Sequence, residues 1–143
     1  MDIIIGADHA GFDMKEEYRL FFEKNKEHKV VDVGVYSRQS SDYPNIAHKV
    51  AQTITNGEYA RGILICGSGI GMSITANRYR GVRAALCHNL YMARMSRQHN
   101  DANILVIGGR VIGVGLALDM LEVFLRTEFD GGRHRKRLDL IDC

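Results

Sequence analysis

The sequence has few cysteines and no long apolar run, and each shortage excludes a class of protein. Cys66, Cys87 and Cys143 stand far apart in the 143 residues, so they indicate neither a disulfide framework nor a paired-cysteine zinc site. Thiols that stay free are typical of a reducing compartment. No apolar segment approaches the roughly 20 residues of a membrane-spanning helix, and the first residues lack a charged-then-apolar leader. We therefore expect a cytoplasmic protein that does not enter a membrane.

The excess of charge is also small, and it is local. The formal net charge is +2, yet residues 126–137 carry five basic and two acidic side chains. One short basic segment suits an anionic small molecule better than a long nucleic acid. The sequence has no H-x-x-x-H or C-x-x-C motif either, so we expect no metal and no cofactor.

Short apolar runs alternate with helical patterns along the whole chain. The predicted strands are residues 3–8, 29–34, 62–66, 82–87 and 102–109. Helical patterns follow each strand, and the last one runs from Val114 to Phe124. Because the strands are apolar on both faces, they predict a five-stranded parallel sheet with helices on both sides. We expect a single α/β domain over residues 1–143, a three-layer Rossmann-like sandwich, with an irregular or weakly helical basic tail at about 127–143.

The segment "GILICGSGIGMSITANR" (62–78) places Cys66 where a strand ends, and glycines follow at every second position, 67, 69 and 71. A glycine turn before a helix lets several backbone amides converge on an anion. The same amides favour a thiolate, so Cys66 is a candidate nucleophile or general base. The dinucleotide fingerprint G-x-G-x-x-G does not fit, since Met72 or Ile74 stands where it needs glycine. The alternative is a small buried cysteine beside a structural turn.

Polar residues follow the first strand in "GADHAGF". Asp8 can orient sugar hydroxyls and His9 can donate to an anion, or Asp8 can simply cap the next helix. The pair His99 and Asn100 ends a predicted helix just before the fifth strand, at the opposite edge of the sheet from Cys66. If His99 acts with Cys66, it comes from a second copy of the chain; alternatively, it is a surface histidine at a helix C-terminus.

Three arginines are candidates for binding an anion. Arg133 and Arg137 are four residues apart and share a face if their segment is helical. Arg110 follows the fifth predicted strand. The guanidinium fork suits a phosphate, and the alternative is a solvated surface charge.

Five segments in order resemble ribose-5-phosphate isomerase of type B, a family that includes galactose-6-phosphate isomerase subunits: "GADHAGF", "DYP", "ILICGSGIGMSITANR", "MSRQHNDANIL" and "GGRHRKR". The resemblance runs from residue 3 to about residue 137. It implies a cofactor-free aldose–ketose isomerase that interconverts D-ribose 5-phosphate and D-ribulose 5-phosphate through an enediolate.

The resemblance also implies roles for individual residues. Cys66 would be the base that moves a proton between C1 and C2, His99 the acid that opens the furanose ring, and Ser68, where the family often has threonine, a supporting residue. The implied substrate contacts are Asp8, His9, Tyr43, Gly67, Ser68, Gly69, Ile70, Gly71, Asn100, Arg110, Arg133 and Arg137. Family members are dimers or tetramers with a site shared between subunits, so we expect a homodimer or homotetramer.

Three alternatives stay open at this point. The substrate can be a hexose 6-phosphate, such as allose or galactose 6-phosphate, since the difference in length is a matter of pocket depth. The glycine turn can belong to a non-catalytic phosphate- or nucleotide-binding module. Redox sensing by Cys66 ranks last, because no resolving cysteine lies nearby in the sequence.

Overall fold

The computed structural model describes residues 1–142, so Cys143 lies outside the described residues. The strands are β1 (Asp2–Ala7), β2 (Lys29–Asp32), β3 (Arg61–Cys66), β4 (Ala84–Leu86) and β5 (Ile104–Gly108). The helices are α1 (Phe12–Lys24), α2 (Tyr43–Thr55), α3 (Ile70–Ala76), α4 (Leu90–Gln98), α5 (Val114–Arg126) and α6 (Arg133–Leu138). None of the helices within residues 1–142 has the length and apolarity needed to cross a membrane.

The five strands form one parallel sheet in the order β2-β1-β3-β5-β4. The predicted α/β architecture is therefore confirmed. From β1 the chain moves outward to β2 at one edge, whereas from β3 it moves toward the other edge. The order thus reverses between β1 and β3, and ligands of open α/β sheets bind beyond the carboxyl ends of the strands at such a switch point.

Two apolar layers enclose the sheet, as the two-faced strands predict. Successive side chains of a strand point to opposite faces. One face packs against α1, α4 and α5, and the other packs against α2 and α3. Ile5 and Ile65 face the first layer, whereas Ile4, Leu64 and Cys66 face the second. Because α1 and α3 cover opposite faces, the loops after β1 and β3 diverge and leave a crevice between them.

Strand β4 is shorter than predicted, at Ala84–Leu86 instead of residues 82–87. The Asn77 side chain accepts from the Ala84 N–H and donates to the Ala84 carbonyl, both at 2.9 Å. The Arg83 N–H donates to the Asn103 side chain at 2.8 Å. Side chains therefore satisfy backbone groups that a longer ladder would have paired.

The sequence predicts an irregular or weakly helical basic tail, and the structure has a defined helix there, α6. Arg133–Leu138 form this helix after two glycines with positive φ, Gly131 at +66° and Gly132 at +54°. His134 and Leu138, four residues apart, are its buried side chains. The exposed face carries the basic residues, so the helix has an anchored side and a charged side.

Candidate active site

A cavity of about 660 Å³ opens at the carboxyl ends of β1 and β3, at the switch point. It brings together many of the side chains that the sequence predicts for the site. Its lining includes Asp8, His9, Tyr43, Cys66, Gly67, Ser68, Ile70, Gly71 and Arg110. The apolar side chains of Ile74 and Val111 complete its rim.

Cys66 lies at the floor of this cavity. Its side chain is 4% exposed and packs in the layer under α2 and α3, yet it also lines the open space. Its Sγ accepts the Gly69 N–H at 3.1 Å. An amide that donates to sulfur stabilises negative charge there. The sulfur is therefore buried, supplied with a donor and accessible from a cleft, which a purely structural cysteine does not require.

At two glycines of this segment, an added Cβ would come very close to neighbouring atoms. Gly69 has φ +81°, and a Cβ on it would stand 2.5 Å from Leu86 Cδ1 and 3.0 Å from the Ile107 carbonyl carbon. A Cβ on Gly71 would stand 2.5 Å from the Tyr43 ring. Gly69 allows the left-handed turn into α3, and Gly71 allows the Tyr43 ring to pack over the start of that helix.

Between Gly67 and Gly71, fewer backbone amides are free to bind an anion than the sequence predicts. The Gly69 N–H is committed to Cys66 Sγ, and the Ile70 N–H donates to Ser68 Oγ at 3.3 Å. Two of the expected amides therefore already have acceptors inside the loop. The exposed Ser68 hydroxyl remains available to a ligand because it accepts the Ile70 bond and can still donate.

Asp8 is buried and shapes the turn that leads from β1 into α1. Its Oδ1 accepts the N–H groups of Ala10 at 2.9 Å and Gly11 at 3.1 Å. The N-cap residue of α1 is Gly11. The alternative that Asp8 is the N-cap of this helix is therefore wrong, because Asp8 lies three residues before that position. Both bonds use Oδ1, which leaves Oδ2 for a ligand in the cavity.

His9 is held by a loop residue that sequence reasoning missed. The Ser41 N–H donates to His9 Nδ1 at 3.2 Å, and the His9 N–H donates to Ser41 Oγ at 3.1 Å. Because Nδ1 accepts, the proton of the neutral ring is assigned to Nε2, which can donate to an anion. No local pattern links these residues, which are 32 positions apart.

Arg110 supplies a cation of this chain to the cavity. Its backbone N–H donates to the Gly67 carbonyl at 3.1 Å. Its Nη1 lies 3.5 Å from the point that a Cβ on Gly67 would occupy. The exposed guanidinium therefore stands directly beside the glycine turn, where it favours an anionic ligand.

Gly69 bonds to Cys66 Sγ but is not part of the cavity lining. Four further predicted site residues also do not line this cavity: His99, Asn100, Arg133 and Arg137. His99 is the C-cap of α4, which runs back from the carboxyl ends of the strands toward their amino ends. Asn100 lines a separate cavity of about 410 Å³ beside Arg83. The two arginines are exposed on α6. Within one chain, these four residues therefore lie away from Cys66.

The His99 ring stacks on a residue that the sequence analysis left aside, His134. The ring centroids are 4.2 Å apart and the planes differ by 9°. Shielding from solvent lowers the pKa of His134, and the positive charges of His99, Arg133 and Arg137 lower it further. The pair occurs where α4 and α6 meet, since the Asp130 N–H also donates to the Gln98 carbonyl at 3.0 Å.

His99, Asp130 and His134 are also close enough to raise the question of a metal. Their potential ligand atoms lie within 4.8 Å of one another. Ring nitrogens coordinate a metal in the plane of the ring, so two parallel stacked rings do not aim at a common ion. Four basic residues of α6, from Arg133 to Arg137, also oppose a cation. The residues present fit a stacked imidazole pair better than a metal centre.

Comparisons with known proteins bear on the family. The model of the Ribose/Galactose Isomerase family matches residues 3–141. Ribose-5-phosphate isomerase B of Escherichia coli (strain K12) is 44% identical over 140 residues, which cover 97% of this chain and 93% of that protein.

Solved structures give the same result for the fold. Ribose-5-phosphate isomerase B of Clostridium thermocellum superposes with a TM-score of 0.97 at 51% identity, covering 99% of this chain and 95% of that one. The protein from Thermotoga maritima gives 0.95 at 52% identity, covering 99% and 97%. The chain therefore belongs to the ribose/galactose isomerase family.

Proposed function

We propose that this protein is a cofactor-free aldose–ketose isomerase that interconverts D-ribose 5-phosphate and D-ribulose 5-phosphate. The observation that carries the proposal is Cys66, whose sulfur accepts the Gly69 N–H at 3.1 Å on the floor of a cavity. His9 and Arg110 line the same cavity. The names of the relatives in Escherichia coli and Clostridium thermocellum support the choice of substrate.

The reaction needs a base, stabilisation of an oxyanion and a proton donor. As a thiolate, Cys66 removes the proton from C2 of the open-chain aldose, and the electron pair moves to the C1 carbonyl oxygen. The resulting enediolate is stabilised by the Ser68 hydroxyl and by amides of the turn. Cys66 then returns the proton to C1, the proton of the O2 hydroxyl passes to O1, and C2 becomes the ketone. A positioned base of this kind contributes about 10² to 10⁴ in rate.

His9 and Arg110 are proposed to hold the phosphate on this chain, because both offer donors at the cavity. Asp8 Oδ2 is proposed to accept from a sugar hydroxyl, and Tyr43 to close one side of the pocket. The orientation of His9 by Ser41 supports this role, since it directs the Nε2 proton away from the loop.

The remaining functions are proposed to come from a second copy of the chain. His99 would donate the proton that opens the furanose ring, Asn100 would assist, and Arg133 and Arg137 would complete the phosphate site. Exposed apolar side chains at the cavity rim support a partner there: Ile70 is 53% exposed, Ile74 56% and Val111 53%. A homodimer is the smallest assembly with this arrangement, and a homotetramer can contain two such dimers.

An assay of the purified protein across pentose and hexose phosphates, with a chelator present, tests this proposal. We expect turnover of ribose 5-phosphate and a loss of about 10²-fold or more in Cys66→Ala. Cys87→Ala is the matched control, because burial raises the pKa of the Cys87 thiol to about 11 and keeps it neutral. A folded Cys66→Ala variant with full activity would contradict the assignment of the base.

A hexose 6-phosphate is the second candidate substrate, and the family's inclusion of galactose isomerases favours testing it. A higher kcat/KM for galactose or allose 6-phosphate than for ribose 5-phosphate would replace the pentose assignment without changing the chemistry. Binding of nucleotides without turnover of any sugar phosphate would indicate the non-catalytic module instead.

A further inference from the structure

The stacked pair of His99 and His134 has no part in the proposed function beyond the role of His99 itself. His134 is 7% exposed, and its ring lies parallel to that of His99 at 4.2 Å. No ring nitrogen of His99 is hydrogen-bonded within residues 1–142 of one chain. The stack is therefore a contact that can define the plane of the His99 ring.

We propose that His134 is a positioning residue that holds the His99 imidazole, through this face-to-face contact, in the orientation needed for proton donation. The inference rests on the proposed function, in which His99 is the proton donor. A proton can be delivered to the ring oxygen of a furanose only if an N–H of the donor points at that atom. A partly exposed histidine at a helix C-cap has more than one staggered rotamer available, so its own backbone does not fix where the N–H points.

The elements around the pair explain why His134 can hold this position. It is one of the two buried residues of α6, so packing of this helix restricts the movement of its ring. The groups around it are His99, Asp130, Arg133 and Arg137. Burial lowers the pKa of His134, the charges of His99, Arg133 and Arg137 lower it further, and Asp130 opposes them. The parallel ring of His134 therefore gives the His99 imidazole a flat surface on which to stack.

Three variants separate the aromatic face from the other properties of His134. His134→Leu and His134→Gln both remove the face, one with an apolar and one with a polar side chain. His134→Phe keeps a planar face but has no ring nitrogen. The matched control is His88→Leu, which removes an exposed histidine outside the site. Circular dichroism verifies folding, and the Gln variant serves if the Leu variant does not fold.

Turnover is the first readout. We expect His134→Leu and His134→Gln to lose about 10- to 100-fold in kcat for ribose 5-phosphate, because a misplaced catalytic group costs up to about 10²-fold. KM should change less than about threefold, because His134 does not touch the substrate. His134→Phe should recover most of the lost kcat, and His88→Leu should match the wild type. Wild-type kcat in the Leu and Gln variants, or no recovery in the Phe variant, would overturn the proposal.

The second readout does not depend on activity. Proton NMR of the His99 ring should show the upfield ring-current shift of a stacked imidazole in the wild type and in His134→Phe. That shift should disappear in His134→Leu, and its persistence there would overturn the proposal. His99→Gln separates the proposed role of His99 as proton donor from the proposed positioning role of His134. Full activity in that variant would refute the role of His99 itself, whereas an impaired His99→Gln beside a fully active His134→Leu refutes only the positioning role.

Discussion

At the scale of single residues, the candidate site contains side chains that hydrogen-bond to the backbone and also line the cavity. Asp8 uses Oδ1 to close the turn before α1, and its side chain also lines the cavity. Cys66 packs in a core layer while its sulfur receives the Gly69 N–H. Each side chain therefore has a structural and a proposed chemical role, and a substitution must be chosen to remove one of them alone.

Asp8→Asn separates the two roles of that residue. The amide keeps Oδ1 as an acceptor for Ala10 and Gly11, so the turn survives, but the carboxylate charge is lost. We expect the free energy of unfolding to change by less than about 1 kcal/mol and kcat/KM for ribose 5-phosphate to fall at least 10-fold. Asp8→Ala should lose both stability and activity. Urea unfolding and the isomerase assay give the two numbers, and an Asn variant with intact kcat/KM would limit Asp8 to the turn.

Gly69→Ala tests the geometry of the turn. The added Cβ would meet Leu86 at 2.5 Å, and the backbone has φ +81°, so we expect a loss of roughly 1 to 3 kcal/mol in the free energy of unfolding. Gly115→Ala is the control, because no atom lies within 4 Å of its added Cβ and it stands in α5. That change should be neutral or stabilising by about 0.5 to 1 kcal/mol. Equal effects at the two positions would contradict the geometry.

At the scale of elements, α1 and β2 are joined by a buried ion pair. Lys15 on α1 is fully buried, and its Nζ bonds to the Asp32 carboxylate at the end of β2. The rings of Phe12 and Tyr36 lie 5.4 and 5.3 Å from the same ammonium. The pair fixes the helix against an edge strand that is otherwise only partly buried.

Removing one partner of this pair should cost more than removing both. Asp32→Ala leaves the buried ammonium with Glu16, whose Oε1 lies 3.4 Å from Nζ, as its remaining partner, and we expect a loss of about 3 kcal/mol in the free energy of unfolding. The double variant Lys15→Met with Asp32→Leu replaces the pair by apolar side chains and should recover most of that loss. Urea unfolding measures both. A double variant as unstable as Asp32→Ala would contradict this account of α1 and β2.

Helix α6 should make stability depend on pH through His134. Its lowered pKa means that the unfolded chain binds this proton at a higher pH than the folded protein does. The stability that His134 contributes to the folded protein is complete above the ordinary histidine pKa of about 6.5. It is lost as the pH falls through the pKa of His134 in the folded protein. The stability difference between the wild type and His134→Gln should therefore shrink from pH 7.5 to pH 5. Urea unfolding at each pH measures this difference, and a difference that stays constant over the range would contradict the prediction.

At the scale of the whole molecule, the sheet order explains why one chain holds only part of the proposed machinery. Cys66 ends β3 beside the switch point, whereas α4 carries His99 back toward the amino ends of the strands. The side chains of one chain cannot bridge these two ends without rebuilding the fold. The proposed site therefore needs a second copy of the chain, whose α4 and α6 lie against the cavity of the first copy.

The parts that the sequence predicts are those with a local signal. Apolar runs locate the strands, and the rule that ligands bind at the carboxyl ends of parallel strands places Asp8, His9 and Cys66 together. The pairing of Ser41 with His9, the burial of Lys15 against Asp32 and the shortening of β4 by Asn77 have no such signal. Each depends on two segments that meet only after the chain has folded. Helix α6 is intermediate, because its buried residues His134 and Leu138 are spaced for a helix but stand in a run of charges.

A mixing experiment between two inactive variants tests the shared site most directly. Cys66→Ala and His99→Gln should each be nearly inactive alone. After subunit exchange, a mixed dimer contains one site with an intact Cys66 and an intact His99, so an equal mixture should recover about a quarter of the wild-type activity. If exchange is verified, for example by native mass spectrometry, and no activity returns, the two residues do not act together from different chains and the account is wrong.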